Sequence, residues 1–232
     1  MLYSEQHKFL YIHVGKTGGS NMERALKQFS HQPVLTWLDR GLSRLGWHWN
    51  FQRYQFRQHD GANRAARVLP AAVFADCFKF AFVRNPWDWL ASLYFFLKRK
   101  ESHRHHQRVT QMSFPQYVDF EIRRNARHQH RFITDRRGRI LVDYLGRFEE
   151  LDSAFQYVCA KLNIECRPLD RISVFKHPPY QELYDECLKE KVRRHWRTDI
   201  CLLGYDYDRY VPGDVVEYFR RRQRTGHGGE FP

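Results

Sequence analysis

The chain has 232 residues, and its 39 Lys and Arg against 26 Asp and Glu give a formal net charge of +13. The 42% hydrophobic and 16% aromatic content excludes a disordered or low-complexity chain. The mean hydropathy is −0.71, and no apolar run approaches the ~18 residues of a membrane span, so no transmembrane segment is expected. The charge surplus indicates an anionic partner but does not identify it.

Cysteine usage and the N-terminal residues point to a reducing compartment. The five cysteines are scattered and contain no C-x-x-C pair, so neither a disulfide framework nor a zinc site is predicted. The first 14 residues lack the basic, apolar and small-residue pattern of a secretory signal. We therefore expect a cytoplasmic protein.

The first two predicted strands are continuous apolar runs, which is typical of strands buried on both faces of a parallel sheet. Residues 9–14 form the first run, and a loop over residues 15–20 leads to a helix that begins at Asn21. Residues 77–83 form the second run, followed by a helix over residues 87–99. This alternation predicts a single α/β domain with a parallel sheet.

Four further elements follow in chain order. Ser113, with Gln three residues later, predicts a capped helix start. Residues 132–142 contain a Gly-bearing turn between Phe-Ile-Thr and Ile-Leu-Val and predict a small hairpin. Residues 151–162 show the clearest amphipathic helix, and a further helix is predicted over residues 180–196.

The loop over residues 15–20 reads Gly-Lys-Thr-Gly-Gly-Ser. A loop between a buried strand and a helix start directs backbone N–H groups and the positive helix end at one point. Lys16 adds a charge, and Thr17 and Ser20 add hydroxyl donors. Glycines alone would indicate an ordinary turn, but the whole combination favours anion binding. A Walker A loop would need glycine where Leu10 stands, so magnesium-dependent nucleotide hydrolysis is not favoured.

Arg84 and Ser92 form a second candidate anion site. Arg84 follows the second strand, at the sheet edge where open α/β sheets bind ligands, and its guanidinium group suits a phosphate dianion. Ser92 lies about two turns into the helix that Pro86 begins. Alone, Arg84 would be interpreted as a surface ion pair and Ser92 as a helix-face hydroxyl. Together with the loop, they indicate a ligand with two phosphate-type groups.

These motifs resemble those of sulfotransferases that use 3′-phosphoadenosine 5′-phosphosulfate (PAPS), with the carbohydrate type (sulfotransferase family 2-like) as the most similar group. Residues 12–20 resemble the 5′-phosphosulfate loop, residues 80–92 the 3′-phosphate segment, and residues 143–149 a strand, Gly-Arg-Phe-Glu and helix segment. The resemblance covers about residues 8–207 of a single domain, 1–232. It leaves a basic tail, 220–232, that we expect to be flexible.

The resemblance implies a P-loop-like three-layer fold, with a central parallel sheet flanked by helices. It also implies sulfonate transfer from PAPS to an acceptor hydroxyl by in-line displacement with no metal required. The acceptor would be a carbohydrate or glycolipid, and it could be anionic. The residues implied to bind PAPS are Lys16, Thr17, Gly18, Gly19, Ser20, Asn21, Arg84 and Ser92.

Lys16 is the expected catalytic cation at the bridging oxygen, and a histidine is the expected base because its pKa lies nearest neutrality. The resemblance favours His59, which precedes the second strand, with His48 as the second candidate. His13 is expected to be structural. Lys176 is a candidate for a loop that closes over the nucleotide.

Two other function classes stay open at this point. One is a P-loop small-molecule kinase or NTPase, and the other is a basic nucleic-acid-binding module. Since no nucleic-acid-binding signature is present, no specific nucleic acid is expected. The basic, His-rich residues 98–108 lack a fixed metal-binding spacing. They are interpreted as a solvated loop or as an acceptor-binding edge.

Overall fold

A computed structural model of the chain describes residues 1–30, 56–126, 128–169 and 178–225. Within these ranges the strands form one four-stranded sheet in the order β1-β2-β3-β4. The strands are β1 (Leu2–Ser4), β2 (Phe9–Ile12), β3 (Phe78–Val83) and β4 (Tyr144–Arg147). Strands β2, β3 and β4 are parallel, whereas β1 pairs antiparallel with β2.

The prediction of a parallel sheet is therefore confirmed for β2 to β4, but it did not include the antiparallel edge strand β1. Strand β1 has only three residues, too few to show a pattern in the sequence. A turn at Lys8, whose φ is 48°, reverses the chain and pairs Tyr3 with Leu10.

Helices cover both faces of the sheet. They are α1 (Gly19–Lys27), α2 (Ala62–Val68), α3 (Ala71–Asp76), α4 (Pro86–Arg99), α5 (His106–Thr110), α6 (Phe114–Arg123), α7 (His130–Ile133), α8 (Leu151–Leu162), α9 (Glu186–His195), α10 (Arg197–Leu203) and α11 (Val215–Thr225). Among the helices of the described ranges, none combines the length and the apolar character needed to cross a bilayer.

Strand alternation gives the two faces of the sheet different side chains. The face that packs against α1 and α8 is aromatic, with Phe9, Tyr11, Phe80 and Phe82 all fully buried. The other face is mostly aliphatic and packs against α2, α10 and α11. A third cluster joins α4, α6 and α9 beside the sheet. The fold is thus a mixed α/β domain whose sheet is covered on both sides.

Three predicted helices are confirmed. Helix α4 begins at Pro86, and the Asn85 side chain accepts a hydrogen bond from the Trp87 amide at 3.0 Å. Helix α6 begins with the expected capping box of Ser113 and Gln116. The amphipathic helix is α8.

Two predictions need local correction. The helix expected over residues 180–196 is divided into a 3₁₀ turn and α9, because the Asp185 side chain caps a new helix by accepting from the Leu188 amide at 2.7 Å. The hairpin expected over residues 132–142 is reduced to a single bridge between Thr134 and Ile140, because its first arm lies mainly in α7.

Residues 220–225 of the expected tail continue helix α11, and their flexibility stays a prediction. This helix is anchored because Val215, Val216 and Phe219 are buried in the aliphatic core. Because a basic run follows these three apolar positions, the sequence did not indicate a core-packed helix here. Residues 226–232 lie outside the described ranges.

Candidate anion-binding site

The loop between β2 and α1 creates a helix start with available donors. Gly18 adopts the left-handed conformation with φ 80°, and its carbonyl accepts from the Asn21 and Met22 amides at 3.1 and 3.2 Å. A Cβ on Gly18 would lie 2.7 Å from a Leu151 methyl group, so the position requires glycine. The amides of Gly19 and Ser20 belong to the first helical turn, where no intrahelical acceptor exists. They are therefore suited to an anion.

His13 supports the loop from the end of β2. Its side chain is buried, its Nδ1 lies 2.8 Å from Glu23 Oε1, and its Nε2 occupies the space that a Cβ on Gly19 would need. The glycine pair thus lets the chain pass between the Leu151 side chain and the His13 ring.

Side chains from two segments fix the loop carbonyls. Trp89 Nε1 donates to the Gly15 carbonyl at 2.8 Å, which ties the loop to α4. The Thr17 hydroxyl donates to the Val14 carbonyl at 2.8 Å. This contact braces the loop from within, and the expected role of Thr17 in donor binding stays a prediction.

Arg84 lies at the end of β3 beside the loop. Its Nε donates to Asp88 Oδ2 at 2.6 Å, and its Nη1 donates to the Lys16 carbonyl at 3.2 Å. The guanidinium carbon lies 4.0 Å from the centre of the Phe148 ring. The Gln129 side chain holds the Arg84 backbone by accepting from its amide at 3.0 Å and donating to its carbonyl at 2.8 Å. The position of this cation is therefore strongly constrained.

Lys16 brings a second cation to the same place. Its Nζ lies 4.3 Å from the centre of the Phe96 ring. Burial, with repulsion from Arg84 as the second cause, lowers the pKa of Lys16 to about 8. Two partly desolvated cations close together are unfavourable, and a bound anion would relieve this repulsion.

The remaining predicted contacts lie on the two helices at the loop. Ser92 is buried on α4, four residues after Asp88 and so on the same helix face. Ser20 is exposed and Asn21 half-buried in the first turn of α1. The structure thus places Ser92 on the face of α4 that bears the partner of Arg84.

The His59 imidazole lies beside the loop. Its ring packs edge-on against His13 at a centroid distance of 4.8 Å, and its Nδ1 lies 3.4 Å from the His13 carbonyl oxygen. Its Cε1 would be 3.6 Å from a Cβ on Gly15. Partial burial, together with the neighbouring His13, lowers the pKa of His59, which favours the neutral imidazole near pH 7. His48 and Lys176 lie outside the described residues.

The Gly-Arg-Phe-Glu segment supports the site from β4. A Cβ on Gly146 would lie 2.5 Å from the Phe82 ring, so only glycine allows this close packing. Phe148 lies against Arg84, as described above. Glu149 accepts from the Asn85 amide at 2.7 Å and from the Tyr205 hydroxyl at 2.9 Å. The segment therefore fixes the turn that carries Arg84.

Sequence reasoning missed five residues of the site: Asp88, Trp89, Phe96, Gln129 and Phe148. The four-residue spacing from Arg84 to Asp88 was a usable signal, because oppositely charged residues at that spacing can pair at a helix start. No sequence signal indicated Gln129, since it lies 45 residues from Arg84.

These elements define an α/β protein with a glycine-rich loop between a buried strand and a helix, and with the cations Lys16 and Arg84 beside that loop. A sequence model described as "Sulfotransferase family" matches residues 1–206. The chain belongs to this sulfotransferase family and resembles its family 2 members. Comparisons with curated proteins and with solved structures gave no match.

Proposed function

We propose that this sulfotransferase uses PAPS as its sulfonate donor and transfers the sulfonate group to an acceptor hydroxyl. The convergence of Lys16 and Arg84 on one loop carries the proposal. The two cations come from different parallel strands, and Arg84 contributes to the lowered pKa of Lys16. Such a pair fits a ligand with several negative charges, such as a nucleotide with 3′- and 5′-phosphates.

Each group has a role in this proposal. PAPS supplies an activated sulfonate group. Lys16 Nζ neutralises negative charge at the bridging oxygen, and the first-turn amides of Gly19 and Ser20 donate to the 5′-side oxygens. Arg84 and Ser92 bind the 3′-phosphate, for which Asp88 must share or release the guanidinium. Sulfonyl transfer resembles phosphoryl transfer in developing charge on oxygen, and in this proposal the cations and amides take the stabilising role that metal ions share in phosphoryl transfer.

His59 is the proposed general base. Its lowered pKa leaves the imidazole unprotonated at neutral pH, ready to accept the acceptor's hydroxyl proton. Glu23 and His13 act as positioning residues, because Glu23 holds the His13 ring at 2.8 Å and that ring packs against His59.

A strip of aromatic and basic side chains leads away from Lys16 and supports an anionic carbohydrate or glycolipid as the acceptor. Its rings follow one another at centroid distances of 6.2, 5.4 and 5.5 Å, in the order Phe96, His103, His105 and Phe120. Arg108 and Arg124 lie over the last ring at 4.9 and 5.7 Å. Phe120 is itself buried, so the half-buried Phe96, His103 and His105 offer the rings that would pack against a sugar face. The guanidinium groups would pair with carboxylates or sulfates.

A thermal-shift comparison tests the donor. We expect 3′,5′-adenosine bisphosphate, the desulfonated product of PAPS, to stabilise the protein without magnesium, since a ligand that binds only the folded state raises its stability. Stabilisation by ATP with Mg²⁺ alone would contradict the proposal and favour nucleotide hydrolysis. Incubation with PAPS and a panel of glycans and glycolipids, followed by mass spectrometry, then tests for transfer to an acceptor.

A further inference from the structure

A second cluster of ionisable side chains lies between the start of α7 and α10. His128, His130 and Asp199 each offer one ligand atom, and these three atoms lie within 4.8 Å of one another. His130 Nδ1 is 2.6 Å from Asp199 Oδ1, and His128 Nδ1 is 4.0 Å from Asp199 Oδ2. Asp199 is fully buried. It lies 69 residues after His130, so no sequence spacing indicates that these side chains meet.

His128 is the observation that an ordinary Asp–His pair does not explain. His128 is only 7% exposed, and its Nδ1 has no hydrogen-bond partner among the described residues. The nearest carboxylate oxygen, at 4.0 Å, is too distant for a hydrogen bond. Buried polar atoms are nearly always paired with protein, water or an ion, so this nitrogen facing a carboxylate is suited to bind one.

His195 adds a further nitrogen beside the cluster. Its ring centroid lies 5.4 Å from that of His128. Its Nε2 is also buried without a hydrogen-bond partner in the described part of the chain. Two neighbouring imidazoles thus each have an unsatisfied buried nitrogen.

We propose that His128, His130 and Asp199 bind one divalent transition-metal ion of the Zn²⁺ class, with His195 or a water molecule completing the coordination. Two imidazole nitrogens and one carboxylate oxygen form a ligand set that suits Zn²⁺, which binds them at about 2.0–2.2 Å. The ion would replace the proton between His130 Nδ1 and Asp199 Oδ1, and these two atoms would separate from 2.6 Å to about 3.3 Å, as tetrahedral ligands require. His128 would move inward by about 1 Å to bind the same ion.

Backbone donors already orient the carboxylate for this role. The Gln129 amide donates to Asp199 Oδ2 at 2.8 Å, and the His130 amide donates to Oδ1 at 2.9 Å. Since a carboxylate has about four lone-pair sites, both contacts can persist beside a metal bond. Such outer contacts are typical of protein metal sites.

The site has a structural consequence for Arg84. The residue between the two histidine ligands is Gln129, whose side chain holds the Arg84 backbone at both its amide and its carbonyl. Bound metal would therefore fix the segment that clamps Arg84, without itself contacting the anion loop. The proposal needs no assumption about the sulfonate donor.

Direct metal binding tests the proposal. The full chain is freed of metal with a chelator and titrated with Zn²⁺ against a chromophoric competitor, and then with Co²⁺ as a spectroscopic probe. We expect one saturable equivalent, with intense visible Co²⁺ bands of a four-coordinate site and no thiolate charge-transfer band. His128→Ala should weaken binding at least about tenfold, the loss that removal of even an outer partner produces.

A double variant, His103→Ala with His105→Ala, serves as the matched control for adventitious binding. These histidines are also neighbours, at a centroid distance of 5.4 Å, but no buried carboxylate is described beside them. The double variant should therefore keep the full affinity for Zn²⁺. Wild-type protein without a saturable equivalent would overturn the proposal. So would binding that survives His128→Ala but is lost in the double variant. The Zn²⁺ titration and the Co²⁺ spectrum are both measured on wild-type protein, so the proposal can be tested even if a variant fails to fold.

Discussion

The His13 ring occupies the space beside Gly19 that any side chain at that position would need. Glu23 holds the opposite ring nitrogen at 2.8 Å, so the ring cannot easily turn away. Position 19 must therefore be glycine, because the His13 ring at the end of β2 leaves no room for a Cβ. This glycine lets the first-turn amides of α1 face the site.

Gly19→Ala should lower the unfolding free energy by about 1–3 kcal/mol, the usual cost of overpacking a buried site. Gly15→Ala is the matched control, because its Cβ would meet the His59 ring at ordinary distances of 3.6 and 3.9 Å, and a change within about 0.5 kcal/mol is expected. Urea unfolding of both variants measures the difference. Equal stabilities would contradict the steric argument.

Affinity for 3′,5′-adenosine bisphosphate should decrease as pH rises above about 8, the pKa of Lys16 in the free protein. An anion stabilises the protonated ammonium, so the bound protein keeps this proton to a higher pH than the free protein does. Binding then weakens by up to about tenfold per pH unit above that pKa. Calorimetry of wild type and Lys16→Met across this range measures the effect. A pH-dependence that persists in Lys16→Met would assign it to another group.

The sequence was informative where local chemistry determines structure. The Gly18 and Gly19 pair, Arg84 at the strand end, and the Ser113 cap are all local patterns, and they predicted the loop, the second cation and a helix start. The roles of the proposed donor-binding residues stay predictions, including that of Thr17, whose hydroxyl donates to the Val14 carbonyl.

The missed features depend on tertiary contacts. Gln129 reaches Arg84 across 45 residues, and Asp199 reaches His130 across 69. No periodicity or spacing rule connects such positions in a single sequence. Strand β1 was missed for another reason, since a three-residue edge strand is defined mainly by its pairing with β2.

His59→Ala should lower kcat by about 10²–10⁴-fold while leaving the bisphosphate affinity nearly unchanged, because a general base acts on the acceptor hydroxyl. His7→Ala is the matched control, since His7 packs edge-on against Phe29 and not against the loop. In wild type, activity should be lost as pH falls through the lowered pKa of His59. Near-normal turnover of His59→Ala with PAPS would remove His59 from this role and make His48→Ala the next variant to measure.

Arg84→Ala should reduce affinity for 3′,5′-adenosine bisphosphate to nearly that for adenosine 5′-monophosphate, which lacks the 3′-phosphate. Charge-assisted guanidinium bonds contribute about 1.5–3 kcal/mol each, so a loss of roughly 10–100-fold is expected. Asp88→Asn is the complementary variant. It weakens the competing ion pair of 2.6 Å, so the bisphosphate should bind more tightly. Equal losses for both nucleotides in Arg84→Ala would place Arg84 away from the 3′-phosphate.

Phe219→Ala should lower the unfolding free energy by about 3–5 kcal/mol, the cost of emptying a buried aromatic site. Phe219 is fully buried in the aliphatic core beside Val215 and Val216, whereas Arg220, the next residue of α11, is exposed. Arg220→Ala is therefore the matched control and should change stability by less than about 0.5 kcal/mol. Urea unfolding at fixed pH compares the two variants. If both left stability unchanged, α11 would not be part of the core, and residues 220–225 would have to be treated as the flexible tail that their charge first indicated.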